Sequence, residues 1–251
     1  MLLFTSQDVK NKTVMSYYIP KTLLGTSSTK TLKGENKGYT TYIMYLAPHT
    51  MNDKGINLCH FASEGCKRDC LYSSGRGKFN SVQKARINKA NYYVGNRRKF
   101  IEHLFTDIER IRNRHKKRGD DKYCIRLNGT SDINWLRQRI DGVNIFKEFN
   151  DVQFYDYTKD HYMLFQNSEP NYHLTFSRHE DNHEIAMNLL ADKVANVAMV
   201  FAKGLPDMYN GFNTVNGDLD DLRFLDDGPG NVVALKYKTA LSKHPTDFVI
   251  Q

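Results

Sequence analysis

Along this chain, apolar residues come in short bursts separated by polar clusters. Tyr39–Leu46 (YTTYIMYL) is aromatic and β-branched and reads as a buried strand that Pro48 ends. Tyr123–Leu127, Val152–Tyr155, Tyr172–Phe176, Val194–Phe201 and Val232–Lys238 repeat the pattern and predict further strands. Between the first two strands the period changes. Phe100, Leu104, Ile108 and Ile111, in series with Ile101 and Phe105, form an apolar stripe at helical spacing. A helix over 82–94 with Ser81 as its N-cap is predicted before it, and another over His183–Leu190. Residues 1–38 show neither period; they read as an irregular arm with one or two short strands, in which Gly25 and Gly34 fit no phosphate-loop spacing.

Short strands alternating with helices or loops predict a single α/β domain over 39–251 with a mostly parallel sheet. Polar clusters follow the strands: Asn128-Gly-Thr-Ser-Asp132, Asp156-Tyr-Thr-Lys159 and Ser177-Arg-His179. In parallel sheets and barrels, active sites gather at the carboxyl ends of the strands, so these clusters mark a site built from several loops. The loop 49–80 is long for a compact domain, and such loops usually carry function.

Composition changes this picture little. At 251 residues, 40% hydrophobic and 25% charged, the chain can build a core without staples. Charge adds more. A net charge of +8 favours anionic partners, with nucleic acid or a nucleotide first. Arg76, Lys78, Arg86, Arg97 and Arg98 would steer such a substrate. The basic run from Arg110 to Arg118 suits a helix C-terminus as well as a phosphate patch. Met1–Phe4 is too short an apolar stretch for a secretory signal and no apolar run is long enough to span a membrane, so a cytoplasmic location without a membrane partner is expected. Nothing in the pattern sets an oligomeric state.

The densest chemistry lies in Cys59-His-Phe-Ala-Ser-Glu-Gly-Cys66-Lys-Arg-Asp-Cys70, spaced C-x6-C-x3-C. Without a secretory signal, such clustering argues for metal binding rather than disulfides. Thiolates suit zinc or iron–sulfur clusters, Lys67 and Arg68 favour the thiolate form, and Gly65 is expected to let the chain turn sharply beside Cys66. Zinc would need a fourth ligand from His60, Cys124 or a distant histidine. A four-iron, four-sulfide cluster on three cysteines would leave one iron open, the position S-adenosylmethionine takes in radical enzymes. At the other strand ends, Ser131 or Asp132 could cap a helix near Trp135, or Asp132 could act as acid, base or nucleophile; Asp156 and Lys159 form a buried pair or a ligand contact; and Arg178 offers a fork for phosphate or carboxylate. The acidic run Asp218, Asp220 and Asp221 reads as a solvated turn, with Arg223 a partner for one carboxylate.

The stretches LAPHTMNDKGINLCHFASEGCKRDCL, SSGRGKFNSVQKARINK, RLNGTSDINW, VQFYDYTK, YHLTFSRHE and DLDDLRFLD resemble a family of uncharacterised tailed-phage proteins, which implies the cytoplasm of an infected host cell. The cysteine loop is also similar, more weakly, to radical S-adenosylmethionine enzymes, although both gaps depart from their C-x3-C-x2-C. That resemblance implies an incomplete or modified (β/α) barrel, with Cys59, Cys66 and Cys70 as cluster ligands and Asn128, Gly129 and Thr130 at the methionine amino group. Ser177 and Arg178 join the cofactor-binding set, and Asp132, Asp156 and Lys159 the catalytic set. Two alternatives stand beside it. One is a zinc-stabilised enzyme of base exchange or glycosyl transfer; the other is a non-catalytic protein that binds nucleic acid or a host factor.

Overall fold

A computed structural model describes residues 18–26, 33–238 and 246–251. Much of the predicted N-terminal arm therefore lies outside the described residues. What is described of it includes a short strand, β1 (Leu24–Gly25), antiparallel to β2 (Thr40–Met44). β2 is the first predicted strand, and its alternating side chains place Tyr42 and Met44 on one face and Thr41 and Ile43 on the other.

From β2 the chain enters the long loop, which holds one short helix, α1 (Glu64–Arg68). Two long helices follow, α2 (Asn80–Gly95) and α3 (Arg97–Arg118). α2 starts after Phe79 rather than Ser81, with no side-chain cap. On α3 the predicted stripe is the buried one: Phe100, Ile101, Leu104, Ile108 and Ile111. Asn96 caps its N-terminus by accepting from Lys99 N at 3.1 Å, and Gly119 ends it at φ 63°, a left-handed turn that glycine makes without strain.

The remaining strands are β3 (Tyr123–Arg126), the small hairpin β4 (Arg139–Ile140) and β5 (Val143–Asn144), β6 (Gln153–Thr158), β7 (Tyr172–Ser177), β8 (Val197–Phe201), β9 (Met208–Tyr209), β10 (Phe212–Asn216), β11 (Val232–Lys236) and β12 (Val249–Ile250). The helices between them are α4 (Ile145–Glu148), α5 (His161–Gln166) and α6 (His183–Ala191). The main sheet runs β1-β2-β3-β6-β7-β8-β11-β10-β9. From β2 to β10 every pairing in that order is parallel. The molecule is thus a mixed α/β single domain on a large, mostly parallel sheet. The sheet is open, with β1 at one edge and antiparallel β9 at the other, so the strands do not close into a barrel. Among the described residues no helix is long and apolar enough to cross a membrane.

Two departures from the predicted pattern shape the sheet. β7 pairs only with Val197 and Ala198 of β8, while β12 takes the same edge at Val200 and Phe201. The end of the chain thus fills a fork opened by β7. The acidic run is no solvated turn. Asp221 is 3% exposed and receives Arg126 Nη1 at 2.6 Å, the Tyr157 hydroxyl at 3.1 Å and the Tyr155 hydroxyl at 3.2 Å. Leu222 packs with Cys124 and Tyr155, and Phe224 lies edge-on to Tyr39. Arg223 does pair as expected, with Asp220 at 3.1 Å and Asp226 at 3.2 Å. The reason is topological: the connection from β10 to β11 lies against the sheet face away from the main core, and its charges are neutralised there in pairs.

Candidate functional site

The loops after β2, β3, β6 and β7 meet at the carboxyl ends of these strands. Gly129 N donates to Met44 O at 3.0 Å, and Thr130 Oγ1 to Leu46 O at 2.5 Å. A methyl at position 129 would stand 2.6 Å from that same Met44 oxygen, so only glycine allows this approach. Asp132 N donates to Leu58 O at 2.8 Å. The Asp132 carboxylate accepts from Thr158 Oγ1 and from Lys159 N, each at 2.8 Å. Asp132 therefore does not cap the turn at Trp135; it ties the β3 and β6 ends together. Lys159 Nζ reaches on to Ser177 Oγ at 3.1 Å.

Lys159 is the charge at the centre of this meeting. Burial works against its cation, yet its pKa is raised, because Cys66, Asp132, Cys59 and Cys70 surround it with groups that favour the positive form. Burial pushes the Cys59 thiol up to about 12, and the Cys59 Sγ lies 3.9 Å from Thr130 O. Burial raises Cys70 as well. Cys66 sits in α1, where its N–H donates to the N-cap Ser63 at 3.0 Å. The predicted cysteines and the loop ends thus share one neighbourhood. Among the described residues, however, no three His, Cys, Asp or Glu side chains are placed to hold a single metal ion.

Gly65 has a different role from the one the sequence suggests. It lies inside α1, outside the left-handed region, and Glu180 Oε1 accepts its N–H at 2.8 Å. A methyl there would stand 2.5 Å from that carboxylate oxygen. Asp69, at the other end of α1, accepts from Tyr237 Oη at 2.8 Å and from Thr246 N at 3.1 Å and Oγ1 at 2.5 Å. These bonds hold its carboxyl below the ordinary value against the effect of burial. An open cleft of about 800 Å³ runs beside α1, lined by Glu64, Lys67, Arg68, Glu180, Thr246 and Asp247.

Several predicted residues have structural duties. Asn128 Nδ2 donates to Ile133 O, and its Oδ1 accepts from Ser131, Ile133 N and Trp135, so its side chain shapes its own loop. Asp156 is 0% exposed; it accepts from Asn128 N at 2.7 Å and Tyr172 Oη at 3.0 Å, and burial pushes its carboxyl up to about 7. It forms no pair with Lys159. Arg178 donates to the carbonyls of Asp247 at 2.6 Å and Phe248 at 3.0 Å, which spends its fork on the strand fork at β12. Cys124 packs in the sheet beneath Thr41, apart from the other three cysteines. Arg86, predicted to steer substrate from the surface, is instead stacked between Tyr45 and Tyr72, 4.6 and 5.6 Å from their ring centres.

The sequence reading missed His49. It follows β2 at φ 52°, and both ring nitrogens are buried with no hydrogen-bond partner among the described residues. Burial lowers its pKa, with Lys67 and Lys159 adding to the effect and Glu64 opposing it. Its only sequence signal is its place directly after Pro48 at a strand end.

Fold and site together define a parallel-sheet α/β protein with a thiol- and lysine-lined site on the carboxyl side. The Gene product 88 family matches residues 22–251, and the chain belongs to that family, which fits the phage resemblance of its sequence. No curated protein and no solved structure matches it.

Proposed function

We propose that the protein is an iron–sulfur enzyme of the radical S-adenosylmethionine kind, with Cys59, Cys66 and Cys70 as cluster ligands and an anionic substrate, nucleic acid or a nucleotide. The observation that carries this reading is the meeting of the cysteine loop with the strand ends, where Cys59 Sγ lies 3.9 Å from Thr130 O, Asp132 accepts Lys159 N at 2.8 Å and Lys159 Nζ reaches Ser177 Oγ at 3.1 Å, on the loop that follows the first strand of a parallel series. The chemistry of the donor set suits a cluster: thiolates are soft ligands for iron, and a cation, Lys159, stands in the same neighbourhood. A four-iron cluster gives each thiolate a different iron, so it asks only that three thiols border one space.

When bound, such a cluster supplies a coordination position for the cofactor and an electron for its chemistry. The chain's own residues do the rest. Lys159 would offset the negative charge that Cys59, Cys66 and Cys70 carry as cluster ligands. Asp132 fixes the Lys159 backbone, and Ser177 takes its ammonium. Gly129 and Thr130 present backbone at the rim, while Asn128 and Asp156 hold that rim in shape. The net charge of +8 and the exposed Arg76 and Lys78 favour an anionic substrate. The test is equilibrium dialysis of S-adenosylmethionine against anaerobically purified protein. Binding by the wild type that is lost in Cys66→Ala supports the reading; iron-loaded wild type that binds none overturns it.

A further inference from the structure

We propose that Arg86, Tyr72 and Tyr45 form a pocket for a small anionic group, a carboxylate or a phosphate, beside the cysteine loop. This pocket stands apart from the cluster reading and uses none of the cysteines as ligands. Arg86 projects from the second turn of α2, whose Arg86 carbonyl accepts Ala47 N at 3.1 Å and so locks this level of the helix to the turn after β2. The guanidinium lies over two tyrosine rings, and among the described residues its Nε and Nη1 are buried with no hydrogen-bond partner. Tyr72, 3% exposed, has a hydroxyl buried in the same unpartnered way. Among the described residues no carboxylate pairs with Arg86.

Buried guanidinium donors without an acceptor are costly and rare. An apolar side chain would fill the space between two aromatic rings without that cost. The residue there is instead a rigid, permanently charged fork suited to oxyanions, and the residue whose ring it covers, Tyr72, carries a second buried donor. The adjoining loop is built to close on this position. A methyl at Gly77 would stand 2.5 Å from the Tyr72 carbonyl oxygen, so glycine alone lets Ser74–Lys78 lie against Tyr72. That segment carries Arg76 and Lys78, both exposed.

The experiment is isothermal titration of the whole protein with inorganic phosphate in one arm and acetate in the other, on wild type, Arg86→Gln and Tyr72→Phe. Saturable binding in one arm, weakened about tenfold or more in Arg86→Gln and by a smaller factor in Tyr72→Phe, is the expected result, and the arm that binds names the source of the oxyanion. Tyr72→Phe keeps the ring and serves if Arg86→Gln does not fold. Wild type that binds neither probe saturably, or variants that bind as tightly as wild type, would overturn the proposal and leave the donors to ordered water. Iron content is measured alongside. A variant that loses anion binding while keeping its iron separates this pocket from the cluster.

Discussion

Asp156 and Lys159 lie three positions apart, and a strand sends such residues to opposite faces. Lys159 joins the thiols; Asp156 turns inward to Asn128 N and Tyr172. Its pKa of about 7 against an ordinary 3.8 has a definite consequence. Between about pH 4 and pH 7 the folded chain keeps a proton that the unfolded chain has lost, so the stability tied to this group is complete below that window and is lost as pH rises through 7. Asp156→Asn, which preserves both contacts, is expected to flatten the fall of melting temperature between pH 5 and pH 7; an unchanged slope would contradict the assignment. Gly65→Ala is expected to cost about 1–3 kcal/mol in denaturant unfolding, because the new methyl meets the Glu180 carboxylate. The cysteines, Asp132, Lys159 and Ser177 were legible in the sequence because they follow strands that its pattern reveals. His49 was not, and Arg86 was legible only as a steering charge, since what distinguishes both is the absence of partners among the described residues, which only packing discloses.

At the scale of elements, the long strands and α3 were readable because burial on one or both faces writes a strong period. The edges of the sheet were not. β10 (FNTVN) alternates apolar and polar only weakly and is half-exposed, and β9 and β12 are too short to leave a pattern. β12 is held instead by Arg178 and by pairing to β8. The connection between β10 and β11 looked solvated because its aspartates were seen without Arg126, which meets Asp221 only in the fold. Arg126→Met should therefore destabilise the protein by about 3–5 kcal/mol by stranding Asp221, and Asp221→Leu added to it should recover much of the loss. Chemical denaturation of the single and double variants measures this; an additive double variant would show that the pair does not act as a unit.

On the scale of the whole molecule, the parallel series β2-β3-β6-β7-β8 follows chain order, so each loop end lands beside the last on one rim. That arrangement lets residues as distant as Cys59 and Ser177 share Lys159. The same sheet stays open where a barrel was anticipated, because antiparallel β1 and β9 occupy its two edges. The basic surplus of +8 and the Lys159 cation beside the cysteine loop suit the anionic centre proposed there. The most direct measurement is iron, acid-labile sulfide and zinc per chain in anaerobically purified protein, with its visible spectrum, for wild type and Cys66→Ala. About four irons with matching sulfide and a broad visible absorption, both lost in the variant, is the predicted result; a colourless wild type with stoichiometric zinc, or a variant that keeps its iron, would contradict it.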